Sequence, residues 1–380
     1  MLPTFLRDTR VELVAAADTR AEARELFTRE FGARAYQKVE GLCADAAVEV
    51  VYVATPHQLH AQHARMAASH GKHVLVEKPM ALTLDDAHAM IDAAHHAGVI
   101  LMVGHSHSFD APIGRTRDLI ASGAFGAARM ITALNFTDFL YRPRRPEELV
   151  TETGGGVVFS QAAHQVDIVR LLGGGLVRSV RAHAGVWDDT RPTEGAYAAL
   201  LGFENGAFAS LTYSGYAHFD SDEFCDSVAE TGQKKDAARH GGARALLQES
   251  HSPEHETAMK MARSYGGVAW REHAQAGATE MPQQHEHFGL LLVSCERADL
   301  RPLPTGVMIY DGASARLDAL PLTGAPRAAV IDELYDAVVH GKPPLHGGAW
   351  GLATLEACLA ILRSAREQRE IVLERQIGIP

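Results

Sequence analysis

Residues Val48–Pro79 read VEVVYVATPHQLHAQHARMAASHGKHVLVEKP. Val48–Ala54 is a short apolar run of the kind that forms a buried strand, and Thr55-Pro56 breaks it. Gln58–Ser69 follows as a helix leading to Gly71, and His73–Val76 is a second buried strand running into Glu77-Lys78-Pro79. Strand, helix and strand in this order connect as a right-handed crossover between parallel neighbours.

The alternation continues outward on both sides. Upstream, Val11–Ala17 is an apolar run ending at Asp18, and a charged helical stretch, Ala21–Phe31, comes next. Downstream, Thr83 and Asp86 have the spacing of a capping box for a helix over Leu84–Ala97. Gly98 closes that helix, and Val99–Val103 is the following strand. The first part of the chain is therefore α/β with a parallel sheet.

After His107 the pattern changes to longer, alternating strands: Ala127–Phe139, Val177–Val186, Gly195–Phe203 and Ala207–Ser214. Glu204-Asn205-Gly206 predicts a hairpin with positive φ at both central residues. A helix, Phe159–Leu172, interrupts these strands, which gives an α+β domain on a mostly antiparallel open sheet. Residues 217–277 are polar and weakly periodic, an insertion with a helix near Glu254–Arg263. Two helices, Ala328–His340 and Ala349–Gln368, finish the chain. The expected organisation is an α/β domain with a parallel sheet over 1–104, an α+β domain over 105–326, and C-terminal helices over 327–380 packing back on the body.

At 380 residues and 41.0 kDa the chain has room for two or three domains with cores of their own. Hydrophobic residues at 46% and charged residues at 22% argue against disorder. With 36 Lys plus Arg against 47 Asp plus Glu the net charge is −11, the wrong sign for a nucleic-acid or anionic-membrane binder. No apolar run approaches the roughly 18 residues of a membrane helix, and Met1–Asp8 is too short and too soon charged for a secretory signal. Cys43, Cys225, Cys295 and Cys358 lie far apart with no CxxC, which reads as reduced thiols in a cytoplasmic protein.

A dinucleotide fold carries G-x-G-x-x-G after its first strand and an acidic residue about 20 positions later. Asp18, at a strand end, has the place and chemistry of that acid, yet G-x-G-x-x-G occurs nowhere in the chain. Counting back puts the loop before Met1, and Met1–Asp8 reads as the tail of the first crossover helix. The expectation is a Rossmann-type fold lacking its first strand and phosphate loop. On spacing alone, Asp18 could equally end a strand of some other α/β sheet.

Four motifs occur in order: Thr55-Pro56-His57 with His60, Glu77-Lys78-Pro79, Gly104-His105, and Gly154-Gly155-Gly156 leading to His164 and Asp167. Together they resemble the glucose–fructose oxidoreductase, inositol dehydrogenase and rhizopine catabolism family of NAD(P)-dependent dehydrogenases, over about Met1 to Ser364. Gly104–Ile113 (GHSHSFDAPI), Gly154–Gly174 and His285–Pro302 are similar to its phthalate 4,5-cis-dihydrodiol dehydrogenase branch. That resemblance implies oxidation of a cis-dihydrodiol dicarboxylate to 4,5-dihydroxyphthalate with NAD⁺. It also implies dimers or tetramers built by packing open sheet faces.

The resemblance assigns Lys78 to the substrate hydroxyl, where it would assist proton transfer. A lysine shielded beside a nicotinamide cation has a lowered pKa, which suits that role; an ordinary surface lysine is the plain alternative. His164 is the second catalytic candidate. The family pattern has Asp four residues earlier, and here Ser160 stands there, one helical turn from His164, able to orient it or touch substrate. Asp18 would hold the adenosine ribose and favour NAD over NADP, with Arg20 nearby softening that preference. Thr55, Pro56 and His60 would line the cofactor trough with Glu77 and Lys78. His105 and His107 follow a strand end and are candidates for holding substrate hydroxyls or carboxylates.

Arg142, Arg144 and Arg145, in YRPRRP, are the one dense basic cluster of an acidic chain. Guanidinium pairs carboxylate bidentately, so an anionic small-molecule substrate explains Arg142 and Arg144, although a solvated loop is the commoner meaning of such a run. The 21 histidines raise a metal-dependent hydrolase as an alternative, with His251, His255, His285 and His287 as imaginable ligands, but no HExxH occurs. No metal is expected on the dehydrogenase reading. A catalytically silent ligand-binding or scaffold protein of the same fold is the other alternative.

Overall fold

The computed structural model describes residues 1–104, 106–236, 240–275, 282–322 and 324–379. By compactness the chain divides into one unit of Met1–His105, Ser250–Met281 and Ala325–Gly351, and a second of Ser106–Glu249, Pro282–Gly324 and Leu352–Pro380.

The first unit opens with α1 (Leu2–Phe5), β1 (Ala15–Ala17), α2 (Ala21–Phe31), β2 (Arg34–Tyr36) and α3 (Val39–Cys43). It continues through β3 (Val50–Val53), α4 (His60–Ser69), β4 (His73–Val76), α5 (Leu84–Ala97) and β5 (Leu101–Val103). β1 pairs with β2, and β3, β4 and β5 pair in that order, every pairing parallel. Val74, Leu75 and Val76 of the middle strand are 0% exposed, as expected of a parallel strand covered on both faces. Thr83 Oγ1 accepts from Asp86 N at 3.0 Å to start α5, and Gly98, at φ +65°, ends it. β4 has the expected bounds, β1, β3 and β5 are shorter than expected, and β2 is not foreseen: three residues with Arg34 exposed leave no apolar run to read.

In the second unit, α6 (Ala111–Ala121) precedes β6 (Ala128–Phe136), and a π-helical turn, Val158–Ala162, leads into α7 (Ala163–Gly173). β7 (Val177–Gly185), β8 (Ala196–Phe203), β9 (Phe208–Ser214) and α8 (Gly242–Gln248) follow. The chain then returns to the first unit for α9 (Pro253–Ala262) and α10 (Val268–Gln275). After these come β10 (Leu290–Cys295), β11 (Ala298–Leu303), β12 (Gly306–Asp311), β13 (Ala315–Ala319), α11 (Ala328–Val339), α12 (Gly348–Glu367) and β14 (Ile371–Val372). The nine-stranded sheet runs β13-β12-β11-β10-β6-β9-β8-β7-β14, with β6 and β9 parallel and the other neighbours antiparallel. One face turns Ile131, Leu201, Leu211, Val293 and Leu300 into the core, while Met130, Leu200, Phe208 and Leu317 are exposed.

Strands β10 to β13 were not anticipated. Leu290–Val293 is a continuous apolar run rather than an alternation, and the register with β6 shifts at Ser294/Cys295. The hairpin at Glu204-Asn205-Gly206 forms, but with one left-handed residue, Gly206 at φ +83°. The Asn205 side chain accepts from Ala207 N at 3.0 Å and donates to Gly173 O at 2.9 Å, which stabilises a negative φ there. Within 217–277 the expected helix is α9, capped by Ser252 Oγ accepting from His255 N at 3.1 Å. A 3₁₀ turn at Ser221–Cys225, α8 and α10 were not foreseen, and 237–239, 276 and 277 lie outside the described residues. Tyr265 anchors this return segment in the first unit, its hydroxyl donating to Glu30 at 2.7 Å and its ring against Phe27.

Candidate active site

The C-terminal ends of β3, β4 and β5 share one edge of their ladder, where ligands of parallel sheets sit. β3 ends at Val53, just before Thr55 and Pro56, and β4 delivers Glu77 and Lys78. Both of these charged residues are half-buried. His60, the first residue of α4, is 1% exposed. Its Nδ1 is 2.8 Å from Pro79 O and its Nε2 2.8 Å from Thr55 O, so the ring holds the two site loops together instead of presenting a nitrogen to a ligand. Thr55 Oγ1 is 3.1 Å from His63 Nδ1. The Tyr52 hydroxyl donates to Glu77, and burial together with that carboxylate pushes the phenol well above its ordinary pKa.

Asp18 follows β1 directly and is half-buried. Its carboxylate accepts from Arg20 N at 2.8 Å, Nε at 3.1 Å and Nη2 at 2.8 Å, while Arg24 donates to its carbonyl at 2.8 Å. Arg20 and Asp18 thus form one paired group at the start of α2.

In the second unit, Gly154-Gly155-Gly156 builds the entry to the helical run bearing Ser160 and His164. Gly154 and Gly156 have φ of +87° and +80°, and a Cβ on Gly155 would lie 2.6 Å from Glu148 O. A Cβ on Gly156 would collide with the Glu194 carboxylate. That buried carboxylate accepts from Val158 N at 3.1 Å and from the Thr151 and Thr193 hydroxyls. It therefore fixes the first turn of the run. Ser160 lies in the π-helical turn and His164 on α7.

His107 sits 4.8 Å from His164 between ring centroids, and Phe288 lies 4.9 Å from each. Asp110 Oδ2 is 2.7 Å from His107 Nδ1, and all four residues are buried. Burial disfavours a charged His107, but Asp110, with Glu230 and Glu286 beyond it, outweighs this and holds its pKa above the ordinary value. Asp167 accepts from the Ser108 hydroxyl and from Thr354 Oγ1 at 3.1 Å, and Thr354 in turn accepts from the wholly buried Arg170 at 2.7 Å.

Arg144 Nη2 donates to Phe139 O at 2.7 Å and its guanidinium lies 3.7 Å over the Phe139 ring; Arg142 is exposed beside the same ring. Glu230 accepts from Asn135 Nδ2 at 3.2 Å; burial opposes its charge, and Arg142 and His107 more than compensate, keeping its pKa below the ordinary value. The first unit thus groups Thr55, Pro56, His60, Glu77 and Lys78, and the second groups His107 and His164. His105 lies outside the described residues.

The remaining histidines are placed differently. The rings of His251 and His255 lie 5.6 Å apart, tilted to each other at the surface, His285 is 3.3 Å from Leu320 O, and buried His287 donates to Val228 O at 2.8 Å. Among the described residues no group of three or more His, Cys, Asp or Glu side chains is placed to hold a metal ion.

Residues 2–105 match the family model described as oxidoreductase family, NAD-binding Rossmann fold, and residues 113–233 match the GFO/IDH/MocA C-terminal domain. The 1-carboxy-3-chloro-3,4-dihydroxycyclohexa-1,5-diene dehydrogenase of Comamonas testosteroni is 48% identical over 97% of this chain and 92% of its own. The chain belongs to the GFO/IDH/MocA oxidoreductases. A Bordetella bronchiseptica protein assigned as a dehydrogenase superposes with a TM-score of 0.91 at 38% identity, covering 98% of this chain and 96% of that one. The WlbA dehydrogenase of Bordetella pertussis, solved with NADH and UDP-GlcNAcA, superposes with a TM-score of 0.65 at 22% identity over 96% and 91% of the chains and shares the fold.

In this GFO/IDH/MocA member the sequence reading passed over Asp110, Glu230 and Phe288. Asp110 had a signal, the His107-x-x-Asp110 spacing across one 3₁₀ turn. Glu230 and Phe288 had none, since each reaches His107 from more than a hundred residues away.

Proposed function

We propose that this chain is an NAD-dependent dehydrogenase that oxidises a carboxylated cyclic cis-dihydrodiol, with a phthalate 4,5-cis-dihydrodiol giving 4,5-dihydroxyphthalate as the specific case. One observation carries the reading: near full-length likeness to a dehydrogenase of a carboxylated dihydroxycyclohexadiene. The residues of the first unit fit a dinucleotide, with a half-buried carboxylate after β1 for ribose hydroxyls and half-buried Glu77 and Lys78 after β4. When bound, NAD supplies the hydride acceptor.

The chain's own residues then have separable tasks. Lys78 or His164 takes the hydroxyl proton as the carbinol C–H bond breaks, and Ser160 orients His164 or the diol. The product gains aromaticity, so alignment of donor and acceptor is the main demand on the protein. Arg142 meets a substrate carboxylate, with Arg144 holding the Phe139 loop and His107 lining the site. Asp18 favours NAD over NADP; Arg20, already on that carboxylate, is placed to soften the choice. The exposed apolar residues Met130, Leu200 and Phe208 on the sheet suit packing against a second copy, as a dimer or tetramer. Four free thiols suit a cytoplasmic role in aromatic catabolism.

The test is calorimetric titration with NADH, followed by NAD⁺ reduction with carboxylated cis-dihydrodiols. Binding with turnover supports the reading. Binding of NADH and diol without turnover would return the protein to the silent ligand-binding class. No binding of NADH would overturn the cofactor assignment.

A further inference from the structure

We propose that Tyr52 is a positioning residue for the cofactor: its hydroxyl holds one oxygen of the Glu77 carboxylate, so that the other is presented to a sugar hydroxyl of the bound dinucleotide. The inference rests on the dehydrogenase reading above, and it concerns a side chain which that reading leaves unused.

The strand ladder brings the two residues together. In the parallel pairing of β3 with β4, Tyr52 stands opposite Leu75 and Val53 opposite Val76. The ladder runs one rung further, where Glu77 N donates to Val53 O at 2.9 Å. Side chains alternate between faces along a strand, so Leu75 and Glu77 point to the side of the sheet that carries Tyr52. On the other flank of β4, Gly104 N donates to Val76 O at 2.9 Å. The backbone at the end of β4 is thus gripped from both neighbouring strands, and the side-chain torsions of Glu77 remain to be set. Tyr52 sets them. Its hydroxyl donates to Glu77 Oε1, and among the described residues no other side chain hydrogen-bonds that carboxylate.

The kind of donor matters as much as its place. Phe5 of α1 packs edge-on against the Tyr52 ring at 5.4 Å between centroids. Burial and the adjacent carboxylate push the phenol well above its ordinary pKa, against the weaker pull of Arg327, so it stays a neutral donor. A lysine or arginine there would neutralise Glu77, whereas the phenol orients the carboxylate and leaves its charge in place. Glu77 is half-buried at the carboxyl edge of the parallel strands, where ligands of such sheets lie. A carboxylate that keeps its charge repels a pyrophosphate and attracts a hydroxyl, so a ribose is the part of the dinucleotide that suits it. With one oxygen already held, less side-chain freedom is lost when the cofactor binds.

The experiment is a double-mutant cycle on NADH affinity, measured by calorimetry on the full chain as wild type, Tyr52→Phe, Glu77→Gln and the double variant. Tyr52→Phe should weaken NADH about tenfold, the worth of a hydrogen bond to a charged group, and Glu77→Gln at least as much. In the Glu77→Gln background, Tyr52→Phe should cost less than about twofold, because the carboxylate it acts through is gone. A Tyr52 that only fills space would cost the same in both backgrounds, and that result overturns the proposal. Tyr52→Phe with wild-type NADH affinity overturns it too. A raised KM for the diol beside an unmoved NADH affinity would assign the second Glu77 oxygen to a substrate hydroxyl, again overturning it. If Tyr52→Phe fails to fold, 3-fluorotyrosine placed at position 52 takes over: its ¹⁹F signal should move when NADH saturates the protein, and an unmoved signal overturns the proposal. A wild type that binds no NADH removes the cofactor reading itself, which is a different result from a wild type and a Tyr52→Phe variant that bind it equally well.

Discussion

His60 Nδ1 lies 2.8 Å from the carbonyl oxygen of Pro79, the residue after Lys78. The other ring nitrogen reaches Thr55 O, so one buried side chain at the head of α4 joins the loops that follow β3 and β4. A neutral ring can donate to only one of two carbonyls, and burial lowers the His60 pKa against the pull of both oxygens. Replacing His60 by Ala leaves one carbonyl without its donor and frees the loop bearing Lys78. The expected cost is about 1–3 kcal/mol of stability and about 10- to 100-fold in kcat, since a misplaced catalytic group is costly. Urea unfolding and steady-state kinetics would measure both; a variant with wild-type kcat would show that His60 does not position Lys78.

Lys78 should behave in the opposite way. It is half-buried at a strand end and is not part of a hydrophobic core. Lys78→Ala should lower turnover by about 10²- to 10⁴-fold, the usual worth of a proton-transfer group, with a melting temperature close to that of the wild type. Retained turnover would assign the proton to His164 alone.

Stability should respond to pH through His107. Its pKa is held above the ordinary value, so the folded chain keeps a proton that the unfolded chain releases near pH 6.5. The contribution is complete below that pH and disappears as pH rises through the raised folded value. Asp110→Asn should therefore cost about 1–3 kcal/mol near pH 6 and clearly less near pH 8.5. Equal urea midpoint shifts at the two pH values would contradict this.

Gly156 offers a purely steric test. Its φ of +80° disfavours any side chain, and a Cβ there meets a buried carboxylate. Gly156→Ala should lose about 2–4 kcal/mol, from left-handed strain and from displacing Glu194 off the first turn. Differential scanning calorimetry would register it, and an unchanged melting temperature would mean that the Gly154–Gly156 loop relaxes without consequence.

The parts of the fold that were legible were those written locally. The helix Leu84–Ala97 was read to the residue because its cap and its terminating glycine stand beside it in sequence. His73–Val76 was equally plain, being an uninterrupted buried run. β2 and β10 were not, since Arg34–Tyr36 is short and partly exposed and Leu290–Cys295 carries a bulge. The site divides the same way. Lys78 and His164 are candidates named by motif order, whereas the pairing of His107 with Asp110 needs the turn geometry, and Glu230 and Phe288 need the folded sheet to bring them near His107.

The first unit is assembled from three separate visits of the chain, the last ending at Gly351. During synthesis this has a simple outcome. A ribosome adding about 5–20 residues per second emits the early crossovers and only tens of seconds later the stretches that complete the same body. No prefix ending before Gly351 carries every segment of the first unit, so that body is completed only when most of the chain has been made.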